Sequence, residues 1–132
     1  MSTILFVDDH HTVRTVFAET LRFDGHMVLE AGTLADAEYL VERQPGAIDL
    51  LIVEAVLTTT NGLEIAKRFQ SAHPDVRVLF ISEESAKSLS AEGLLPKGAH
   101  FLQKPFAAED LIGRLQQLLN AGKGRETRRS RE

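Results

Sequence analysis

The sequence predicts an α/β fold, a doubly wound five-stranded parallel sheet with helices on both faces. Three observations lead there. The chain has 132 residues, the size of one domain. Short apolar runs alternate with longer stretches of helical periodicity, the pattern of successive βα units. Several of those runs are apolar on consecutive residues instead of alternate ones, as strands covered on both faces are.

Thr3-Ile4-Leu5-Phe6-Val7 is the first run, and it ends at Asp8-Asp9. From His11 to Phe23, the residues Val13, Val16, Phe17, Thr20 and Leu21 fall near helical spacing and form the expected inner face. Asp24-Gly25-His26 stops that helix, with Gly25 suited to a left-handed cap. Met27 to Ala31 is the second strand. Thr33 then caps a helix with Leu34, Ala37, Leu40 and Val41 inward, and Pro45-Gly46 ends it. Leu50-Leu51-Ile52-Val53 is the most apolar run and the expected central strand, with Asp49 before it and Glu54 at its carboxyl end. Ala55 to Thr60 reads as a loop. A helix begins at Asn61-Gly62 and turns Leu63, Ile65, Ala66 and Phe69 inward, followed by a turn at His73-Pro74-Asp75. Val76 to Ile81 is the fourth strand and ends at Ser82. A polar helix is expected over Glu84 to Ala91, and Leu94-Leu95-Pro96 interrupts that region. Gly98 to Leu102 is the fifth strand, and Lys104-Pro105 follows it. Ala108 to Leu119 is an amphipathic helix through Leu111, Ile112, Leu115, Leu118 and Leu119.

Composition narrows the function. The chain is 43% hydrophobic and 26% charged, an ordinary globular balance, and has no cysteine. Disulfides, thiolate metal sites and a cysteine nucleophile are excluded. No apolar run approaches the ~20 residues of a membrane helix, and Met1 to Phe6 has no basic n-region, so a cytoplasmic protein without signal peptide is expected. Charge is uneven. Lys123, Arg125, Arg128, Arg129 and Arg131 crowd the end, while the preceding part carries more carboxylates than cations. The expected division is a domain over 1–120 and a basic tail or linker, without regular structure, over 121–132. An acidic body is a poor surface for nucleic-acid phosphates, so no nucleic-acid role is expected within this chain. No G-x-S-x-G elbow supports a serine hydrolase.

In an open parallel sheet, ligands bind beyond the carboxyl ends of the strands. Strand one ends in Asp8 and Asp9, strand three in Glu54, strand four in Ser82, and strand five leads to Lys104. Clustered carboxylates repel and need a compensating cation. Hard oxygen donors suit Mg²⁺, and a lysine with a hydroxyl beside the metal suits a phosphoryl group. His10 and His11 are adjacent and do not face each other on a helix, so they are not read as a metal pair.

These motifs carry a resemblance. Ile4 to His10, Asp49 to Glu54, Asn61-Gly62-Leu63-Glu64, Phe80-Ile81-Ser82 and Phe101-Leu102-Gln103-Lys104-Pro105-Phe106 together resemble the receiver domain of two-component response regulators. The likeness covers about residues 3–119, and Val78 to Phe106 is most similar to receivers of hybrid histidine kinases. The resemblance implies the flavodoxin-like (βα)5 fold. It implies Mg²⁺ ligands at Asp8 and Asp9, with the carbonyl of Val56 and the Glu54 position completing the metal set. It also implies a phosphate switch at Ser82, Lys104 and Phe101, and a cis bond before Pro105.

One departure decides the functional expectation. Receivers accept phosphate on an aspartate at the end of strand three, and here that position is Glu54. Glutamate is longer by one C–C bond, roughly 1.5 Å. A misplacement of ~1 Å in such a transfer can cost ~10²-fold. Thr58 stands where the family usually has proline, and Glu83 where a small residue leaves room for phosphate. The expectation is a non-enzymatic, phosphorylation-independent signalling module that acts by protein–protein contact, with Mg²⁺ bound weakly or not at all. Glu54 then either imitates the acyl phosphate or marks a lost switch. Two alternatives are an authentic phosphorelay receiver with residual acceptance and a Mg²⁺-dependent phosphohydrolase. The expected partners are a histidine kinase, a phosphotransfer protein or an output protein. A homodimer through Lys87, Phe101 and the outer side of the last helix is a further expectation, with no membrane contact.

Overall fold

Ten elements alternate along the chain: β1 (Thr3–Val7), α1 (His11–Phe23), β2 (Met27–Ala31), α2 (Leu34–Arg43), β3 (Leu50–Glu54), α3 (Gly62–Ala72), β4 (Arg77–Ser82), α4 (Ala86–Ala91), β5 (His100–Gln103) and α5 (Ala108–Arg131). The computed structural model describes residues 2–131, and side-chain surroundings as far as residue 120. The strands form one parallel sheet in the order β2-β1-β3-β4-β5.

Alternation within each apolar run sorts the two faces. Leu5, Val7, Leu51, Val53 and Phe80 face one side and join Ala37, Ile65, Ala66, Phe69 and Leu89 from α2, α3 and α4. Ile4, Phe6, Leu50, Ile52, Leu79 and Ile81 face the other and join Ala18, Leu21, Leu111, Leu115 and Leu118 from α1 and α5. Both faces are therefore covered, which is why β1 and β3 carry apolar residues at consecutive positions. The helix starts follow local chemistry. Thr33, Asn61 and Ser85 each accept a hydrogen bond at an N-cap, from the N–H groups of Asp36, Glu64 and Ser88.

Several expectations change, and β4 and β5 run over Arg77–Ser82 and His100–Gln103 where Val76–Ile81 and Gly98–Leu102 were expected. On α1 the buried stripe is Arg14, Ala18 and Leu21, while Val13 and Val16 are 43% and 58% exposed. Arg14 can take a core position because polar partners await it, as described below. Helix α4 starts two residues later than expected, at Ala86, because Ser85 caps it. The backbone of α5 continues to Arg131 in place of the irregular tail expected from residue 121. Lysine, arginine and glutamate in that stretch favour helix, while Gly122 and Gly124 work against it and the apolar stripe ends at Leu119.

Candidate functional site

Strand order reverses between β1 and β3, so the crevice of the sheet lies beyond the carboxyl ends of those strands. The register brings the sequence-predicted residues there together. Val7 pairs with Val53, Glu54 with Ile81, and Ser82 with Gln103. Asp8, Glu54, Ser82 and Lys104 consequently stand at one end of four neighbouring strands. Asp8 is 0%, Ser82 1% and Glu54 5% exposed. Asp49 is at the opposite end, where its carboxylate accepts the Thr3 N–H at 2.8 Å, so it is no substitute acceptor.

Lysine 104 closes the cluster. Its Nζ donates to Asp8 Oδ2 at 2.7 Å and lies 3.1 Å from Glu54 Oε2. Its own N–H donates to the Ser82 carbonyl, and the Lys104–Pro105 bond is cis, as the resemblance implied. Burial pushes the Glu54 carboxyl above its ordinary range; Lys104 pulls it back only in part, and the Asp8 charge pushes it further up. Burial works against the Lys104 ammonium, but Asp8 and Glu54 outweigh it and hold the amine above its ordinary value. Gly62 shapes this end of β3. A Cβ there would fall 2.5 Å from the Glu54 carbonyl oxygen, so only glycine lets α3 start so close to the strand.

The second acidic residue is held elsewhere. Asp9 is exposed, and its Oδ2 accepts both the Thr58 N–H at 3.0 Å and the Thr58 hydroxyl at 2.6 Å. Partial burial works against its charge, but these two bonds win and hold the carboxyl below its ordinary range. Proline at position 58 would offer neither donor. The departure noted in the sequence thus creates the contact.

Asp8, Asp9 and His10 place ligand atoms within 4.8 Å of one another, and the carboxylate oxygens of Asp8 and Asp9 are the hard donors that suit Mg²⁺. Protein donors hold some of those oxygens, while the buried Glu54 Oε2 has no hydrogen-bond partner. Asp8 Oδ1 accepts the His10 N–H at 3.0 Å, Asp8 Oδ2 and Glu54 Oε2 face Lys104, and Asp9 Oδ2 faces Thr58. The backbone of Val56 bridges to Asn61. A divalent cation there would compete with Lys104 for Asp8 and with Thr58 for Asp9. Phe101 is half-buried against the α2–α4 side of the core, and its carbonyl accepts from Arg114 at 2.7 Å. Glu83 is exposed and its carbonyl takes the Gln103 amide.

Sequence reasoning missed a second polar network behind the site. Arg14 Nη1 donates to the Asp8 carbonyl at 2.7 Å, and its Nε to Glu30 Oε1 at 3.1 Å. Thr15 and Arg22 also hold Glu30. Burial works against the Glu30 charge, yet these partners keep its carboxyl below the ordinary range. The signals were an arginine in register with Ala18 and Leu21, and a glutamate inside an apolar strand.

The fold is that of a signalling receiver. Residues 4–116 match the response regulator receiver domain family, and the chain belongs to it. It is similar to the response regulator receiver protein CpdR of Brucella abortus, 28% identical over 121 residues that span 92% of this chain and 99% of that protein. It is 31% identical over 120 residues to the response regulator MprA of Mycobacterium leprae, of whose length it spans 52%. The crystal structure of the receiver domain from hybrid histidine kinase CckA superposes with a TM-score of 0.73 at 34% identity, covering 89% of this chain and 99% of that one. The five-stranded fold expected from the sequence is the fold of these receivers.

Proposed function

We propose that this receiver domain signals by protein–protein contact without phosphoryl input. The observation that carries the reading is the buried Glu54 at the end of β3, 3.1 Å from Lys104, in the place the resemblance gives to the acceptor. The longer side chain already occupies the space where a shorter aspartate would receive a phosphoryl group, and it meets the lysine that would pair with one. Thr58 and Lys104 hold the acidic oxygens that Mg²⁺ would need, so cation binding is weak or absent. These engaged oxygens also speak against a phosphohydrolase: Asp8, the nucleophile such an enzyme would need, is tied to Lys104 and His10. The domain is non-enzymatic and cytoplasmic, and no described helix is long and apolar enough to cross a membrane. Its partners are a histidine kinase, a phosphotransfer protein or an output protein, in keeping with its similarity to CpdR and to the CckA receiver. A second copy could use the face containing Lys87 and Phe101.

Beryllium fluoride with Mg²⁺ tests this, because it mimics an acyl phosphate only on a correctly placed carboxylate. The amide spectrum of the natural protein is expected to stay unchanged at Val56 to Thr60, Ser82 and Phe101. A saturable change at those positions would overturn the reading. The 3.1 Å contact also supports a second version, in which Glu54 imitates the charged acyl phosphate. Glu54→Gln separates the two: a scaffold keeps its partner, and a mimic loses it.

A further inference from the structure

A second recess, about 500 Å³ in volume, lies at the other end of β4 from the carboxylate cluster. Arg77 at its rim opens β4 and Ser82 ends the strand, so the cationic rim and the cluster lie toward opposite ends of β4. The recess exists because α4 stops after six residues. Gly93 and Gly98, with φ of +76° and +79°, then turn the chain, and residues 92–99 form no helix that would cover the gap between α3 and β5. Leu63, Val78 and Phe80 give the recess apolar walls.

Its rim is cationic. Arg77 from β4, Lys97 from the α4–β5 loop and Arg114 from α5 line it beside His100, and no aspartate or glutamate does. Their concentration is unusual for this chain. Arg14, Arg22, Arg43, Arg68 and Lys104 each lie within 4.0 Å of a carboxylate. Among the described residues, that leaves Lys67, Arg77, Lys87, Lys97 and Arg114 without an ion pair, and three of those five meet at this one recess. Arg114 is also fixed in place, since Nη1 donates to the Phe101 carbonyl at 2.7 Å and the other guanidinium N–H groups remain for a ligand. Cations gathered over apolar walls create a local positive field in an acidic body, and an anion relieves it.

We propose that this recess binds a small organic anion. Its carboxylate, sulfonate or phosphate group meets Arg77 and Lys97 at the rim, with Arg114 adding to the positive field, and its flat or apolar body lies along the recess wall. The volume suits such a ligand. The proposal does not depend on whether Glu54 can be phosphorylated.

The test is an amide-resolved titration of the isotope-labelled full chain at low salt with naphthalene-1-sulfonate. The neutral naphthalene-1-methanol, sodium sulfate and an oligoglutamate peptide are run in parallel. The sulfonate is expected to give saturable shifts at Val78, Ala99 and His100, with Ser82 unmoved. The neutral analogue and sulfate alone should bind about tenfold more weakly or worse, because each lacks half of the contacts. Arg77→Gln and Lys97→Gln, each checked for a native amide spectrum, should each weaken the sulfonate about tenfold. Absence of saturable shifts would overturn the proposal, as would equal binding of the neutral analogue or unchanged affinity in both variants. Tighter binding by oligoglutamate would also overturn it, and would make the recess a docking surface for an acidic segment.

Discussion

Replacing Lys104 with methionine keeps the length of the side chain and removes its ammonium. Asp8 and Glu54, 0% and 5% exposed, then face each other as buried carboxylates without the cation that lies 2.7 Å and 3.1 Å from them. Removing one side of such a pair costs about 3–5 kcal/mol, a large share of the about 5–15 kcal/mol that holds a domain together. With a urea slope of about 2 kcal/mol per molar, the midpoint of unfolding should fall by about 2 M. The loss should also depend on pH. Two buried carboxylates in contact drive one of them to bind a proton, so the folded carboxyl titrates above its unfolded value. Stability from that uptake is present at acid pH and is lost as pH rises through the raised folded pKa. The variant should therefore be damaged less near pH 5 than near pH 8. In the natural protein the raised Lys104 makes its contribution below its ordinary 10.5 and loses it as pH rises through the higher folded value. Adding Glu54→Gln to Lys104→Met removes one of the two repelling charges and should recover part of the stability, with a coupling of about 1 kcal/mol or more. A midpoint shift below about 0.5 M, or one equal at both pH values, would refute the buried ion-pair argument.

Three further outcomes follow from the same geometry. Gly62→Ala forces a methyl group to 2.5 Å from the Glu54 carbonyl oxygen and should cost about 1–3 kcal/mol, read as a Tm lowered by several degrees; an unchanged Tm contradicts the close approach. Thr58→Ala removes the 2.6 Å hydroxyl bond to Asp9, so the Asp9 carboxyl should titrate nearer its ordinary value in a carboxyl-resolved NMR titration, and an unmoved midpoint contradicts that bond. Arg14→Met leaves Glu30 with fewer partners and should cost about 2–4 kcal/mol in calorimetry. Because the Glu30 carboxyl is held low, its share of stability is present above 4.5 and lost as pH falls, so the variant should show a shallower acid dependence.

The layout of the fold was legible because the runs of β1, β3 and β4 are covered by helices on both faces, and the sequence prints that double burial as consecutive hydrophobic residues. The bounds of β1, α1 and β2 match the sequence pattern to the residue. The inner face of α1 did not follow, because hydrophobicity marks Val13 and Val16 and passes over Arg14. Arg14 is buried through bonds to the Asp8 carbonyl and Glu30, partners supplied by the tertiary fold. The convergence of Asp8, Glu54, Ser82 and Lys104 could be read from their places at strand ends. The direction of Asp9 could not, since it depends on a loop conformation that brings Thr58 back over β1. The recess beside β5 was hidden for a related reason: Leu94-Leu95-Pro96 signalled a break after α4, but not which cations would gather around it.

On the proposed reading, Glu54 removes phosphoryl input from an otherwise receiver-shaped site. Intact mass after incubation with Mg²⁺ and acetyl phosphate, with the natural protein beside Glu54→Asp, tests it most directly. No added phosphoryl group is expected on the natural protein, and a labelled fraction is expected in the variant. A phosphoryl group on the natural protein would contradict it.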